Sequence, residues 1–390
     1  MHLTREEEMV LAGEHGPGMQ RAMELLVALG RIYDADRLIP ITSAHLSGVS
    51  FKTIGEGGLD FLEEISNDAR VKVLTTLNPA GMDLDRWKEM GVGADFAQRQ
   101  LAIIKAYDRM GVTTNCTCTP YITGNTPKFG DSVAWAESSA LSYVNSVLGA
   151  RTNREGGPGA LAAAIVGKTP LYGLHLEENR RPTVIVEANV LNEITDYSLL
   201  GHAVGQRFGA AVPYFKGIRP DCNGLKTMAA AMAASGSVAV FHVEGVTPGN
   251  ASLDLKGLER VSFDHNDVKK AKDTLTTGKD PDLIAVGCPH LSQMEMKMLA
   301  SMLDGKRKRS DAPEVWFCTS RTVKTWCPKE TAVLERFGKV VCDTCMIVAP
   351  IESRHRCTAT NSAKACNYLP SLCSQKVVCG SYAELMERIA

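Results

Sequence analysis

The stretch Thr113–Gly157 reads TTNCTCTPYITGNTPKFGDSVAWAESSALSYVNSVLGARTNREGG, and the rest of the chain is organised around it. It sets Cys116 and Cys118 beside a Pro-Tyr turn, ahead of a predicted helix over residues 132–148. A thiolate that faces a helix N-terminus can hold a metal and a small anion together. Because serine prefers caps and turns to helix interiors, the Ser-rich start of this helix favours a binding site over ordinary core packing.

Helices, buried strands and loops rich in Gly, Pro and Asn alternate on both sides of this stretch. The strand RLIPIT runs into the loop Ser43–Ser50, and the strand VKVLTT runs into the loop Leu77–Met82. This alternation predicts an α/β architecture with mostly parallel strands, in which ligands bind where the strands end. We predict three domains, which cover residues 1–157 with the two loops and the first cysteine ligand, 158–250, and 251–390 with the remaining cysteine ligands.

The composition excludes several classes of partner. The chain has 390 residues and a net charge of −1, and we find no basic cluster interleaved with aromatic residues, so nucleic acid is not an expected partner. The N-terminal MHLTREEE has neither the basic nor the apolar region of a signal peptide, and no apolar run reaches membrane-spanning length. We therefore expect a cytoplasmic protein that does not bind membranes.

Twelve cysteines are spread through the chain. Without a signal peptide, metal ligation is a better explanation for a functional subset than a disulfide framework, and most of the others are expected to pack as small apolar residues. Three of them share a topological position. Cys118 follows a turn-terminated segment, Cys288 ends the strand DLIAVG, and Cys345 follows the strand KVV, so all three can converge on one crevice.

Two metal sites remain open from spacing alone. Three thiolates with an unfilled fourth position suit an iron–sulfur cluster in which one iron stays open to substrate. A structural zinc site more often uses four ligands, commonly in two C-x-x-C pairs. Cys342 and Cys345 form one such pair and Cys116 with Cys118 is a near miss, so a closed zinc site is the competing hypothesis.

A resemblance separates these hypotheses. The chain resembles the aconitase X family in segments that run along almost its whole length: SAHLSGVSF, TTLNPAGMD, TCTPYITGNTPKFGD, AWAESSALSYVNSVLGARTNREGG, VGCPHLS, DTCMIVAP and TNSAKACNYLP. The resemblance implies an aconitase-like fold, with several α/β domains and mostly parallel sheets around a central iron–sulfur site. It also implies a dehydratase that uses a [4Fe-4S] cluster, with a depleted cluster or a lone iron as further states of the isolated protein.

The resemblance implies roles for individual residues. The metal ligands are Cys118 in T-C-T-P-Y, Cys288 in G-C-P-H and Cys345 in D-T-C. The implied substrate-binding residues are Gly48, Val49, Ser50, Asn78, Pro79, Ser139, Ser142 and Lys364. No catalytic residue is assigned with certainty on this chain, because the base in aconitase-like enzymes is a serine of a mobile swivelling domain. That domain is expected on a separate small subunit.

The reaction implied by the resemblance removes water from (R)-5-phosphomevalonate and gives trans-anhydromevalonate 5-phosphate, a step toward isoprenoids. The substrate is thus a phosphorylated hydroxy acid, and the small subunit is the expected protein partner. Two alternatives remain. One is dehydration of cis-3-hydroxy-L-proline, an activity of the same family, and the other is a non-catalytic zinc or iron–sulfur protein.

Overall fold

The computed structural model describes residues 1–189, 191, 193–250 and 253–390. Except for one antiparallel pair, β1 with β5, the strands assigned within these ranges pair in parallel. The α/β class with mostly parallel sheets, expected from the alternation of strands and helices, is confirmed.

The first unit contains a small parallel sheet in the order β3-β2-β4 and the pair β1-β5. Its strands are β1 (Leu38–Pro40), β2 (Ser43–Leu46), β3 (Leu74–Leu77), β4 (Ala134–Trp135) and β5 (Lys168–Pro170). Its helices are α1 (Arg5–Leu11), α2 (Pro17–Ile32), α3 (Phe51–Ile65), α4 (Ala94–Arg109), α5 (Ser138–Tyr143) and α6 (Gly157–Val166). Ser43–Leu46, predicted as loop, is strand, because these buried residues pair with both β3 and β4.

The second unit is a sheet in the order β8-β7-β6-β9. Its elements are β6 (Val184–Ala188), α7 (Ile194–Phe208), β7 (Pro213–Lys216), α8 (Cys222–Gly236), β8 (His242–Val243) and β9 (Glu259–Phe263). Helix α8 packs against α7 and also contacts α5 of the first unit. This helix is buried along most of its length, because several parts of the molecule meet on it.

The third unit is a parallel sheet in the order β12-β11-β10-β13-β14. Its strands are β10 (Leu283–Leu291), β11 (Glu314–Thr319), β12 (Lys339–Cys342), β13 (Cys357–Thr360) and β14 (Lys376–Cys379). The remaining helices are α9 (His265–Leu275), α10 (Gln293–Leu303), α11 (Arg321–Trp326), α12 (Pro328–Glu335), α13 (Ala363–Cys373) and α14 (Tyr382–Glu387). Strand β10 is buried along its whole length, as expected for the centre of a sheet covered on both faces.

The predicted domain boundaries stay a prediction, and the packing shows how the segments beside them are arranged. Helix α6 packs on α2, and β5 pairs with β1, so residues 158–170 belong with the first unit. Strand β9 pairs with β6 and therefore belongs with the second. Residues 251–252, predicted to open the third domain, lie outside the described residues. Gly157 and Pro158 open α6, and Pro248 lies in a turn after β8.

The predicted helix over residues 132–148 begins later than expected. Ala134 and Trp135 pair with Ala44 and His45 as β4, and α5 starts only at Ser138, with Glu137 as its N-cap. The last turn, Val144–Leu148, is π-helical. Because a short apolar run does not distinguish a strand from a helix, the pattern at Val133 and Trp135 was misread.

Candidate metal and substrate site

A cavity of about 220 Å³ lies where the first and third units meet. The residues that line it are Ser47, Asn78, Pro79, Cys118, Ala136, Glu137, Ser138, Cys288, Cys345, Ile347, Val348, Lys364, Tyr368 and Leu372. The three cysteines proposed as ligands, which are 227 positions apart along the chain at their widest, thus face one space.

Cys118 is positioned by the edge of the first sheet. Thr113 donates to the carbonyl of Thr75 and Thr117 donates to the carbonyl of Leu77, both at 2.8 Å. These bonds hold the segment against β3 and direct the buried Cys118 into the cavity.

Cys288 lies in the central strand of the third sheet, at a local irregularity. The pairing of β10 with β11 shifts between Val286 and Leu291. Gly287 has φ of 100°, and a Cβ there would lie 2.1 Å from the carbonyl oxygen of Cys318. Only glycine accepts this conformation together with so close an approach of the two strands, and the irregularity brings Cys288 to the cavity wall.

Cys345 lies three residues beyond β12, in a turn where the Ala349 N–H donates to the Cys345 carbonyl at 3.1 Å. The preceding Asp343 has φ of 62°. Its side chain pairs with Arg321 and accepts a bond from the Leu84 N–H. A residue with positive φ, fixed by one ion pair and one hydrogen bond, sets the direction in which this turn leaves the strand.

His290 connects all three cysteine segments. Its backbone N–H donates to Cys118 Sγ at 3.2 Å, its Nε2–H donates to the Thr344 carbonyl at 2.9 Å, and its Nδ1 bonds Thr117 Oγ1 at 3.0 Å. Burial, opposed mainly by the bond to Thr344, lowers the pKa of His290 to about 4. The imidazole is therefore neutral, and it braces the site with both nitrogens occupied.

The donor set fits an iron–sulfur cluster. Among the described residues, no three His, Cys, Asp or Glu side chains are close enough together to hold a single metal ion, whereas a cluster takes each thiolate on a different iron. Burial raises the pKa of all three thiols, to about 12 for Cys288. The thiols are thus protonated until a bound metal displaces the proton and makes them thiolates.

The paired cysteines of the competing zinc hypothesis point elsewhere. Cys116 is fully buried in the apolar core of the first unit. Cys342 ends β12, and its N–H donates to Asp83 Oδ2 at 2.9 Å. Within the described residues neither lines the cavity, so the two pairs do not present four sulfurs to one point.

A buried ion pair forms part of the cavity wall. Lys364, in the first turn of α13, donates to Glu137 Oε1 at 2.5 Å and to Ser139 Oγ at 3.3 Å. Burial by itself lowers the pKa of Lys364, but the Glu137 carboxylate, and after it the Cys288 and Cys118 thiols, raise it above its usual value. Lys364 is therefore charged and lies within electrostatic range of the sulfurs.

Glu137 was not among the predicted site residues. Burial favours its neutral form, but the Lys364 ammonium and the hydrogen bonds from Lys364, Ser139 and the Ala140 N–H lower the pKa of Glu137. The sequence offered only its position beside Ser138 and Ser139, since its partner Lys364 is 227 residues away.

The predicted substrate residues fall into two groups. Asn78, Pro79 and Lys364 line the cavity, and the buried Oδ1 of Asn78 has no hydrogen-bond partner among the described residues. A buried oxygen without a partner at a cavity wall can accept a hydrogen bond from a ligand that enters the cavity.

Gly48, Val49 and Ser50 do not line the cavity within the described residues, whereas Ser47 does. Ser50 Oγ donates to the Val348 carbonyl at 2.9 Å, and the Val49 carbonyl accepts from Gln100 at 2.9 Å. The loop reaches the cavity through Ser47, one residue before the predicted set, and its buried part supports the wall.

Ser139 and Ser142 also lie behind the wall, which Ser138 completes. Ser139 bonds Glu137 at 2.5 Å, and the Oγ of Ser142 is buried without a hydrogen-bond partner among the described residues. Tyr368 and Leu372, which sequence reasoning missed, supply an apolar side near the opening, where Leu372 is 51% exposed.

Family models for the first, second and third domains of aconitase X match residues 1–178, 182–273 and 281–390. The chain belongs to the aconitase X family. The crystal structure of Thermococcus kodakaraensis aconitase X in its holo form superimposes on the chain with a TM-score of 0.93 at 45% identity, covering 100% of both chains. This confirms the aconitase-like fold and the resemblance from which it was expected.

Two curated relatives bear on activity. The phosphomevalonate dehydratase large subunit of Methanocaldococcus jannaschii is 48% identical, over 99% of this aconitase X chain and 100% of its own length. The cis-3-hydroxy-L-proline dehydratase of Hypocrea jecorina is 34% identical, over 99% of this chain but 68% of its own length. In the part of the chain that the structure describes, no helix has the length and apolar character needed to span a membrane.

Proposed function

We propose that this chain is the large subunit of a phosphomevalonate dehydratase, a hydro-lyase that removes water from (R)-5-phosphomevalonate to give trans-anhydromevalonate 5-phosphate. One observation carries the proposal. Three buried cysteines from distant segments, a buried lysine and an unsatisfied asparagine oxygen line one cavity, in a chain that matches a relative of that name from end to end.

We infer that Cys118, Cys288 and Cys345 hold an iron–sulfur cluster, of the [4Fe-4S] type when complete and depleted when iron is lost. A lone iron is left out of the proposal, because no three such side chains among the described residues are close enough together to hold a single metal ion. When bound, the cluster supplies a Lewis acid for the hydroxyl that departs, without net redox chemistry. The protein's contribution is a dry, rigid setting, in which His290 braces the three ligand segments and Gly287 permits the approach of β10 to β11.

The substrate's oxygens meet donors and acceptors on this chain. Lys364 offers an N–H donor, Asn78 offers a buried amide, and Ser47 and Ser138 offer hydroxyls at the cavity wall. The apolar side formed by Tyr368, Leu372, Ile347 and Val348 suits the carbon skeleton of a branched hydroxy acid and excludes water from the reacting carbon. In this proposal Gly48, Val49, Ser50, Ser139 and Ser142 act indirectly, by shaping the wall.

The base is proposed to come from a partner. The M. jannaschii relative is called a large subunit, and the match covers 68% of the H. jecorina relative, which leaves room there for a further domain. A small subunit that carries a swivelling domain would close over the opening at Tyr368 and Leu372 and bring its serine to the substrate. The cytoplasmic location stays a prediction.

The deciding experiment compares two substrates on the complex with the small subunit, purified without oxygen. We expect turnover of (R)-5-phosphomevalonate and none of cis-3-hydroxy-L-proline, and the opposite preference would establish the second activity instead. Iron and sulfide analysis provides an independent readout. A colourless protein that holds zinc and turns over neither substrate would support the non-catalytic alternative.

The ligand assignment is tested with a matched pair of substitutions. Cys118→Ser is expected to remove both the iron and the activity, whereas Cys116→Ser, two residues away in the same segment, retains both. Loss of iron from Cys116→Ser but not from Cys118→Ser would reverse the assignment.

A further inference from the structure

The hydrogen bonds of the Lys364 ammonium leave one donor for a ligand. An ammonium group has three N–H donors. Glu137 Oε1 and Ser139 Oγ take two of them, at 2.5 and 3.3 Å. Lys364 itself lines the cavity, so its third donor is available there.

Glu137 is fixed more firmly than an ordinary partner of a lysine. It is the N-cap of α5, where Oε2 accepts from the Ala140 N–H at 2.6 Å and from Ser139 Oγ at 2.5 Å. Its other oxygen, Oε1, accepts from Lys364 at 2.5 Å and more weakly from Ser138 Oγ at 3.4 Å. A carboxylate held by a helix terminus can hold the ammonium in one place and one orientation.

The ammonium shares the cavity with the three cysteines. Lys364, Cys118, Cys288 and Cys345 all line this space of about 220 Å³. In the proposed reaction the departing hydroxyl would lie against the cluster that these cysteines would hold. The substrate's carboxylate is two bonds from the carbon that bears this hydroxyl, whereas its phosphorus is four bonds away.

Charge favours the same end of the substrate. The Lys364–Glu137 pair carries no net charge, so it offers one directed donor and not a positive field. A phosphate dianion is better served by unpaired cations or by several backbone N–H groups. A carboxylate that needs one oriented bond matches what Lys364 presents.

We propose that Glu137 is a positioning residue that aims Lys364 at the substrate's carboxylate, and that the phosphate is recognised elsewhere in the site. This inference rests on the proposed function and makes it more specific. It assigns Lys364 to the reacting half of the molecule and gives Glu137 a part in binding, although Glu137 donates nothing to the substrate itself.

Two probes separate the halves of the substrate. Mevalonate has the carboxylate and hydroxyl but no phosphate, and isopentyl phosphate has the phosphate but no carboxylate. Binding of each to the complex with the small subunit is measured by calorimetry. Lys364→Met is expected to weaken mevalonate binding about tenfold or more, which is the loss expected for a hydrogen bond to a charged group. The affinity for isopentyl phosphate is expected to change by less than about twofold.

Glu137 is tested by comparing the same two affinities, for mevalonate and for isopentyl phosphate. Glu137→Gln is expected to weaken mevalonate selectively, and Glu137→Asp to restore part of that loss, whereas a purely structural defect would weaken both probes together. Lys52→Met is the matched control. Lys52 pairs with Glu352 at 2.7 Å but does not line the cavity within the described residues, so both affinities should persist.

The outcomes distinguish this inference from the function on which it rests. Selective loss of isopentyl phosphate from Lys364→Met, or equal loss of both probes, overturns the carboxylate assignment while wild-type turnover of phosphomevalonate leaves the function standing. If neither probe binds the wild-type complex and phosphomevalonate is not turned over, both proposals fail.

Discussion

Two buried lysine–glutamate pairs in this molecule have different surroundings. Lys364–Glu137 forms part of the cavity wall. Lys226–Glu295 is closed in by protein: Lys226 also donates to the His290 carbonyl at 3.0 Å, while Glu295 accepts from the Ser292 N–H at 2.8 Å and from Tyr382 Oη at 3.1 Å. The first pair keeps a donor facing a cavity, and the second joins α8 to the third unit.

The comparison shows that burial of an ion pair does not by itself indicate function. What matters is whether the partners' remaining hydrogen-bonding capacity is used by the fold. Both pairs are nevertheless connected to the cysteine site, since Lys226 donates to the carbonyl of His290, the residue that braces the cysteine segments. One pair is expected to govern stability and the other ligand binding.

The largest expected effect is on stability, from breaking the enclosed pair. Lys226→Met leaves Glu295 buried and unpaired, which should cost about 3–5 kcal/mol in the free energy of unfolding. Urea unfolding of the metal-free chain measures it. The double variant Lys226→Met with Glu295→Leu should recover most of the loss, since two apolar side chains leave no unpaired charge. No recovery would mean that the pair acts through geometry and not charge.

A third buried glutamate sharpens the comparison through pH. Glu155 is bonded by Thr169 at 3.5 Å, and burial raises the pKa of Glu155 to about 7. Because the folded protein binds this proton more tightly than the unfolded chain, its stabilisation is complete below about pH 4.5 and is lost as the pH rises toward 7. Glu155→Gln should therefore leave stability unchanged near pH 4 and raise it by about 3 kcal/mol at pH 8.

The measurement is the free energy of unfolding of both proteins at several pH values. Glu137→Gln serves as the contrast, since the pKa of Glu137 is lowered and not raised. A wild-type stability that rises from pH 5 to pH 8 relative to Glu155→Gln would contradict the predicted sign.

Breaking the cavity pair should cost less stability than breaking the enclosed one. In Lys364→Met the Glu137 carboxylate keeps its bonds from Ser139 and Ala140, and water can reach it through the cavity. We expect a loss of about 1–3 kcal/mol, with turnover reduced by at least about a hundredfold. A stability loss equal to that of Lys226→Met would remove the distinction between the two pairs.

The smallest effect is expected at Cys373, beside the cavity loop. Its Sγ donates to the Ile347 carbonyl at 3.3 Å and bonds Lys52 at the same distance. A serine hydroxyl can replace both contacts, so Cys373→Ser should change stability by less than about 1 kcal/mol and retain iron and turnover. Iron loss as complete as in Cys345→Ser would show that Cys373 belongs to the ligand set.

The sequence predicted the class of the fold because alternating helices and buried strands are local patterns. It misjudged residues 132–137, where Trp135 forms a two-residue strand through pairing with His45, a contact from 90 positions away. Strand pairing also joins segments on either side of the predicted boundaries, since β5 pairs with β1 and β9 pairs with β6.

The candidate site was predicted unevenly. The family resemblance directed attention to Cys118, Cys288, Cys345, Asn78 and Lys364, all of which line the cavity. Glu137 stood out only as one of several polar residues in the predicted helix and was not assigned to the site, because its importance arises only when Lys364 folds against it. Ser47 lines the cavity in place of the predicted Gly48–Ser50, because the directions of the side chains decide which residues face the cavity. Spacing along a loop does not define those directions.

The dispersion of the cysteine ligands along the chain has a consequence for biogenesis. The proposed set includes Cys345, which follows β12, whereas Cys288 lies in β10, and these two strands share a sheet only through β11. The complete set of sulfurs therefore forms only when this sheet has folded, so cofactor delivery is expected to act on a largely folded subunit. Newly made protein is then expected to pass through a metal-free, folded form that awaits loading.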